Sequence, residues 1–220
     1  MAINNKRLSA VLVNDTDWNT VYSCATDISV FVRSIIICNH NDSTQTVNLA
    51  FTQTATPTTS EMMYSSYELH PTETKRLKLG IGMQAGDILK FMNASSDNIS
   101  ITSYGAEFDG IAETVKELNA SAISAETNVD FYQVPVGTKT SVSTINVCNT
   151  ASYITTYRVA HVDGNATALA SEDYLAFDNV IDSYDSIQLN LDISMEENDS
   201  IVIYAATSNL SFIAWGSEVK

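Results

Sequence analysis

Positive charge is scarce in this chain: 11 Lys and Arg stand against 26 Asp and Glu, a formal net charge of −15 at pH 7. Such a surface repels phosphate backbones and anionic lipid, so neither nucleic acid nor a membrane surface is an expected partner. It also keeps a crowded protein in solution. Histidine is rarer still, with His40, His70 and His161 the whole set. None has a neighbour at metal-ligand spacing. The cysteines are Cys24, Cys38 and Cys148, an odd number with no C-x-x-C pair, so no disulfide framework is implied. Each reads as a small buried hydrophobe rather than a reactive thiol. Apolar runs such as Ile35 to Cys38 are far too short to span a bilayer. Lys6 and Arg7 are followed by no apolar signal-peptide region, so synthesis in a cytoplasm is expected. Without a secretory route, N-x-S/T segments such as Asn41-Asp42-Ser43 carry no glycosylation meaning.

Catalytic signatures are missing as well. There is no H-E-x-x-H, G-x-S-x-G, P-loop or G-x-G-x-x-G. Cys24, Cys38 and His40 lack both zinc spacing and a fourth ligand. Asp15-Thr16-Asp17-Trp18-Asn19 and Glu196-Glu197-Asn198-Asp199 offer oxygens to a hard cation, but neither has EF-hand spacing, and a solvated turn is the preferred reading. Carboxylate pairs for glycoside hydrolysis could come from distant strands. An aromatic fraction of 9% does not add the groove such an enzyme needs. The expectation is a non-enzymatic protein with no catalytic residue, no cofactor and no metal.

What is present is an internal repeat. Slid against itself by 110 residues, the chain places Val32 on Val142, Ile35 on Ile145, and Cys38-Asn39 on Cys148-Asn149. Ala50 then falls on Ala160 and Tyr64 on Tyr174, after which two extra residues enter the second copy. Leu77, Leu79, Ile81 and Met83 match Leu189, Leu191, Ile193 and Met195, and Asp87 matches Asp199. One residue drops out near Asp97, and the ends pair Ser100 with Ser211, Gly105 with Gly216 and Glu107 with Glu218. Leu8 and Ala10 sit over Leu118 and Ala120. The chain therefore reads as two tandem domains, residues 1–109 and 110–220, each of ordinary domain size.

Each copy reads as strands. Leu77 to Met83 and Leu189 to Met195 alternate with period 2, which puts four apolar residues on one face. Val30 to Cys38, Thr46 to Thr52, Ile88 to Met92 and Ile99 to Tyr104 are rich in strand formers, with Asn, Asp, Ser and Thr turns between them. The pattern predicts an all-β protein: two antiparallel, jelly-roll-like β-sandwiches of about eight strands each. A short helix or turn over 110–117 is expected from the spacing of Ala112, Val115 and Leu118, followed by a strand.

Two asymmetries mark candidate interfaces. In the last strand Ile99 and Ile101, or Leu210 and Phe212, form one face. The opposite face carries Tyr104 in copy one and Ile213 and Trp215 in copy two. Aromatics in that place are covered either by a neighbouring element or by another chain. The second asymmetry is charge. Copy one has a basic spot at Lys75, Arg76 and Lys78, whereas copy two has Asp182, Asp185 and Asp192 in the corresponding stretch. Copy one holds 11 acidic and 7 basic residues, copy two 15 and 4. Opposite spots at equivalent places would let subunits pack head to tail into rings.

The combined motifs carry a resemblance. Each copy runs through a Tyr strand (Val21-Tyr22-Ser23; Phe131-Tyr132-Gln133-Val134-Pro135-Val136-Gly137-Thr138), a strand ending in Cys-Asn and a Leu-x-Leu-x-Ile-x-Met strand. A Gly-Asp or Asn-Asp turn follows, then an Asn-Ile/Leu-Ser strand closing on Gly-x-Glu. This order resembles small β-sandwich virion proteins of tailed phages of marine bacteria and cyanobacteria. Copy one departs from it where Cys24-Ala25-Thr26-Asp27-Ile28 replaces Val-Pro-Val-Gly-Thr. The resemblance implies a homo-oligomeric virion part that contacts itself and other virion proteins. A tail or neck position is favoured over capsid decoration. A carbohydrate- or receptor-binding module is the alternative, with Trp18 and Tyr153 as its candidate residues.

Overall fold

A computed structural model describes residues 3–109, 116–164 and 169–219. The first eight strands are β1 (Ile3–Val13), β2 (Asn19–Ser23), β3 (Ile28–Asn39), β4 (Gln45–Thr52), β5 (Met62–Leu69), β6 (Thr74–Met83), β7 (Ile88–Asn93) and β8 (Ile99–Asp109). They form two sheets, β1-β8-β3-β6 and β2-β7-β4-β5. The second eight are β9 (Lys116–Ala122), β10 (Val129–Gln133), β11 (Lys139–Asn149), β12 (Thr155–Val162), β13 (Tyr174–Ile181), β14 (Ser186–Met195), β15 (Ser200–Ala205) and β16 (Leu210–Val219). They form the sheets β14-β11-β16-β9 and β10-β15-β12-β13, so the same topology occurs twice. A single 3₁₀ turn precedes β5 (Thr59–Glu61) and β13 (Ser171–Asp173).

The connectivity is that of a rolled hairpin. β4 pairs β5, β3 pairs β6, β2 pairs β7 and β1 pairs β8, all antiparallel. The two arms of this long hairpin wrap so that every connection except β4–β5 crosses between sheets. That is a jelly roll, and closing it leaves few free edges. The second copy repeats each pairing. The expected all-β pair of eight-stranded antiparallel sandwiches is what forms.

Local chemistry explains why the repeat holds. Leu77, Leu79, Ile81 and Met83 all enter the first core, as their alternation requires. Gly80 interrupts them with a positive φ, and Asp192 does the same in the second copy, because β6 and β14 each carry a bulge there against β3 and β11. Gly105 and Gly216 of the Gly-x-Glu motif sit directly over the carbonyls of Phe31 and Ser141, where any Cβ would collide. Asn39 and Asn149 are buried and serve their turns: Asn39 donates to the carbonyls of Ser43, Leu69 and His70, Asn149 to those of Tyr153 and Asp182.

The structure corrects one alignment and limits one expectation. Ladder partners set Met62 equivalent to Tyr174 and Tyr64 to Ala176, because Ala50 pairs Met62 while Ala160 pairs Tyr174. The two extra residues of copy two thus enter before the 3₁₀ turn, not after Tyr174. Two tyrosines in similar surroundings mimicked an equivalence that the hydrogen-bond register rejects. Of the turn or helix expected over 110–117, residues 110–115 lie outside the described residues, and Lys116 and Glu117 already belong to β9. Leu118 is a strand residue there, as its match with Leu8 requires.

Candidate interaction surface

Polar residues common to both copies hold the sandwiches together. Glu107 of β8 takes an ion pair from Lys6 of β1 at 2.5 Å and a hydrogen bond from the Tyr22 hydroxyl of β2 at 2.8 Å. Glu218, Lys116 and Tyr132 repeat this at 2.6 and 2.7 Å. Each carboxylate ties the two sheets across one end of a sandwich. Burial, then the neighbouring carboxylate, drives both tyrosine hydroxyls well above their usual range. Asp87 and Asp199 accept the backbone N–H of Gln84 and Glu196, closing equivalent turns.

The least symmetric feature is the contact between the sandwiches. β5 and β6 end their sheets and flank one open side of the first sandwich. The outer face of the β14-β11-β16-β9 sheet closes it. Ile213 and Trp215 point away from their own core and enter the first one, both 0% exposed. Trp215 meets Phe51 edge to face, with ring centroids 5.6 Å apart at 89°. Around them Cys148 packs with Ala50 and Met62, and Trp18 covers this cluster. Polar groups fix the register: Asn146 Nδ2 donates to the Met63 carbonyl at 3.1 Å, Ser211 Oγ to that of Met62 at 2.7 Å, and Gln188 to that of Leu79. Glu117 of β9 lies on the same boundary. Burial first, then Asp87 and Glu61, push its carboxyl up to about 7.

Among the described residues, the equivalent surfaces have no such cover. The open side of the second sandwich lies between β13 and β14. There Leu189, Leu191 and Ile193 are only partly buried, and Leu175, Phe177 and Val180 are exposed. Phe177, 55% exposed, is braced by the Arg158 guanidinium 4.3 Å from its ring, and Arg158 in turn pairs with Asp178 at 2.6 Å. The outer face of the first sandwich carries Tyr104, 40% exposed, at the place of Trp215. The ladder makes that equivalence firm: Tyr104 stands opposite Arg7 and Ser34, Trp215 opposite Glu117 and Thr144.

The charged candidates fall on the junction between repeats. Lys75 lies over the Tyr67 ring at 5.3 Å and within the field of Asp185. Asp182 and Asp185 line a groove there with Ser66, Tyr67 and Glu68. Arg76 and Lys78 line a second groove with Gln188 and Asn190. Lys75 thus faces the acidic spot within one chain, while Arg76 and Lys78 face the amides of Gln188 and Asn190. Asp192 sits apart, exposed in the β14 bulge. Sequence reasoning missed Met63 and Phe51, which receive Trp215, and the exposed Leu175 and Phe177. A large aromatic on the outer face of β16 was the signal for the contact, but nothing in the pattern specified its partner.

The other candidates do not converge. Cys24 lies against the backbone of Ile28 and Met83, whereas His40 contacts Ser100 Oγ at 2.9 Å. Asp15 accepts from the Asp17 N–H and from Asn19 Nδ2, closing its own turn. Glu196 pairs with Lys139 at 2.7 Å, and Glu197 accepts the Gly137 N–H. Trp18 packs on the junction, while Tyr153 stands on the β11–β12 loop of the other repeat, bonded to Asn209. Among the described residues no helix is long and apolar enough to cross a membrane.

No protein-family model and no curated protein sequence matches the chain. Among solved structures it is similar to the major capsid protein P2 of bacteriophage PM2, with a TM-score of 0.38 and 9% identity over 100% of this chain and 98% of that one. It is also similar to a tandem CBM22 domain of Paenibacillus barcinonensis Xyn10C, at TM-score 0.28 and 8% identity over 98% and 91% of the chains. A fucolectin from striped bass (Morone saxatilis) serum matches at TM-score 0.30 and 9% identity over 94% and 85%. Likenesses this distant carry no argument about function.

Proposed function

We propose that this chain is a non-enzymatic structural subunit of a phage virion that works through contacts with further copies of itself and with other virion proteins. The observation that supports this most is the junction between the sandwiches. Its deepest apolar contact is one jelly roll closing the open side of another, through Trp215 and Ile213. Residues common to both copies, the Lys-Glu-Tyr triads, the turn asparagines and the close-approach glycines, serve the fold in each. Two like sandwiches per chain let three chains present six similar surfaces, which suits ring positions at a neck or tail and positions on a head. The tailed-phage setting follows from the resemblance of the repeated motifs. The acidic second sandwich faces away from packaged nucleic acid in this reading.

The glycan-binding alternative has less support, since Trp18 is taken up by the junction and Tyr153 by Asn209. The test is detection of the chain by mass spectrometry in purified particles, with gold-labelled antibody on negatively stained particles to place it. Stoichiometric presence in the particle is the expected result. Absence from particles, with the chain found only free in lysate, would overturn the reading.

A further inference from the structure

We infer that a second copy of this chain docks the outer face of its first sandwich, around Tyr104, onto the open side of the second sandwich between β13 and β14. This repeats between chains the contact that Trp215 makes within one. It rests on the homo-oligomeric reading above and assigns it a surface. Each half of the contact has its register-equivalent exposed elsewhere on the chain. On the receiving side, Met63, Ser65 and Leu79 are buried at the junction, and their equivalents Leu175, Phe177 and Leu191 are exposed or partly so. On the entering side, the exposed Tyr104 takes the place of the buried Trp215 and Thr102 that of Ile213, while Leu12, further along β1 opposite Ser100, is exposed as well. The half-exposed state of Leu189, Leu191 and Ile193 is what an uncapped jelly-roll side looks like, since Leu77, Leu79 and Ile81 of identical topology are buried once capped.

Charge agrees with the assignment. Within the chain the junction lines one groove with Glu61 and Glu117, and burial, then Asp87 and Glu61, raise the carboxyl of the second. Their register-equivalents are Asp173 and Arg7. The repeated contact therefore brings an arginine to an aspartate where the internal contact sets carboxylate against carboxylate. Because the entering and receiving surfaces differ, the contact is heterologous, and it closes into a ring when its rotation matches that of the internal junction. An exposed apolar strip on two edge strands is also a surface that a soluble protein covers.

The experiment uses the full chain. Light scattering on the wild type is expected to give three times the single-chain mass of 24.0 kDa. Tyr104→Glu and Leu191→Asp should each lower the mass threefold while far-UV circular dichroism stays unchanged. Mixing Tyr104→Cys chains with Leu175→Cys chains under mild oxidant should give a linked dimer that neither variant gives alone. A multimer that survives both charge variants and yields no mixed cross-link overturns this assignment and leaves the virion reading standing. A single-chain mass for the wild type at every soluble concentration also overturns it, and the particle assay then judges the virion reading separately.

Discussion

Strands β6 and β14 occupy the same place in the same topology and present the same apolar series, yet they are buried differently. Leu79 is 2% exposed, whereas its equivalent Leu191 stays partly open to solvent, as do Leu189 and Ile193. Nothing in either strand accounts for this. The difference lies in the neighbour: the outer face of β16 closes the first sandwich, and among the described residues nothing does so for the second. Edge burial in this protein belongs to the arrangement of domains rather than to the strand.

That comparison can be broken most severely at Trp215. Trp215→Ala should cost about 3–5 kcal/mol in urea unfolding, because it opens a cavity in a core the tryptophan does not share with its own sandwich. Tyr104→Ala, measured at dilution on single chains, should stay within about 0.5 kcal/mol. Similar losses for the two would mean that the two faces are not in different states. Leu79→Ala against Leu191→Ala gives a second contrast, about 2–5 kcal/mol for the buried leucine and roughly 1 kcal/mol for the half-exposed one in single chains. Once chains assemble, the Leu191 penalty should rise toward that of Leu79.

Glu117 offers a gentler probe. Its folded carboxyl is raised to about 7 from an ordinary 4.5. A raised carboxyl binds its proton more tightly in the folded state, so its contribution is fully present below about 4.5 and is lost as pH rises through about 7. Thermal stability of the junction should therefore fall between pH 5 and pH 8. Glu117→Gln should flatten that profile and add about 1–3 kcal/mol at pH 8. A wild-type profile matched by the variant at all pH values would contradict the buried carboxyl. The smallest effect sharpens the comparison from the other side. Tyr22→Phe removes the hydroxyl's bond to Glu107, whereas Tyr132→Phe removes bonds to both Glu218 and Thr140. Tyr22→Phe should cost about 1–2 kcal/mol by chemical unfolding, and Tyr132→Phe more than Tyr22→Phe.

Much of the fold was legible because its determinants are local or repeated. Period-2 alternation named the core residues of β6 and β14, and the repeat announced that one strand order would occur twice. The register of β13 was not legible. Tyr64 and Tyr174 invited a match, and only the hydrogen-bond ladder showed Met62 in that place. The Lys-Glu-Tyr triads escaped for a related reason. Lys6, Tyr22 and Glu107 are scattered along the chain and meet only after three strands have crossed between sheets.

The candidate surface divides in the same way. Its residue types stood out in the sequence: an aromatic on the wrong face of β16, a basic spot, an acidic spot. Alternation, composition and duplication settled that this is an acidic, twice-repeated jelly-roll chain, because those properties follow from side-chain period and charge alone. Tertiary structure decided where those spots go. It turned Trp215 and Ile213 into the plug of a neighbouring core, set Lys75 beside Asp185 within one chain, and left Tyr104 and Leu175 uncovered. Sequence period fixes the side of a strand on which a residue stands, while the docking of two finished sandwiches fixes what that side meets.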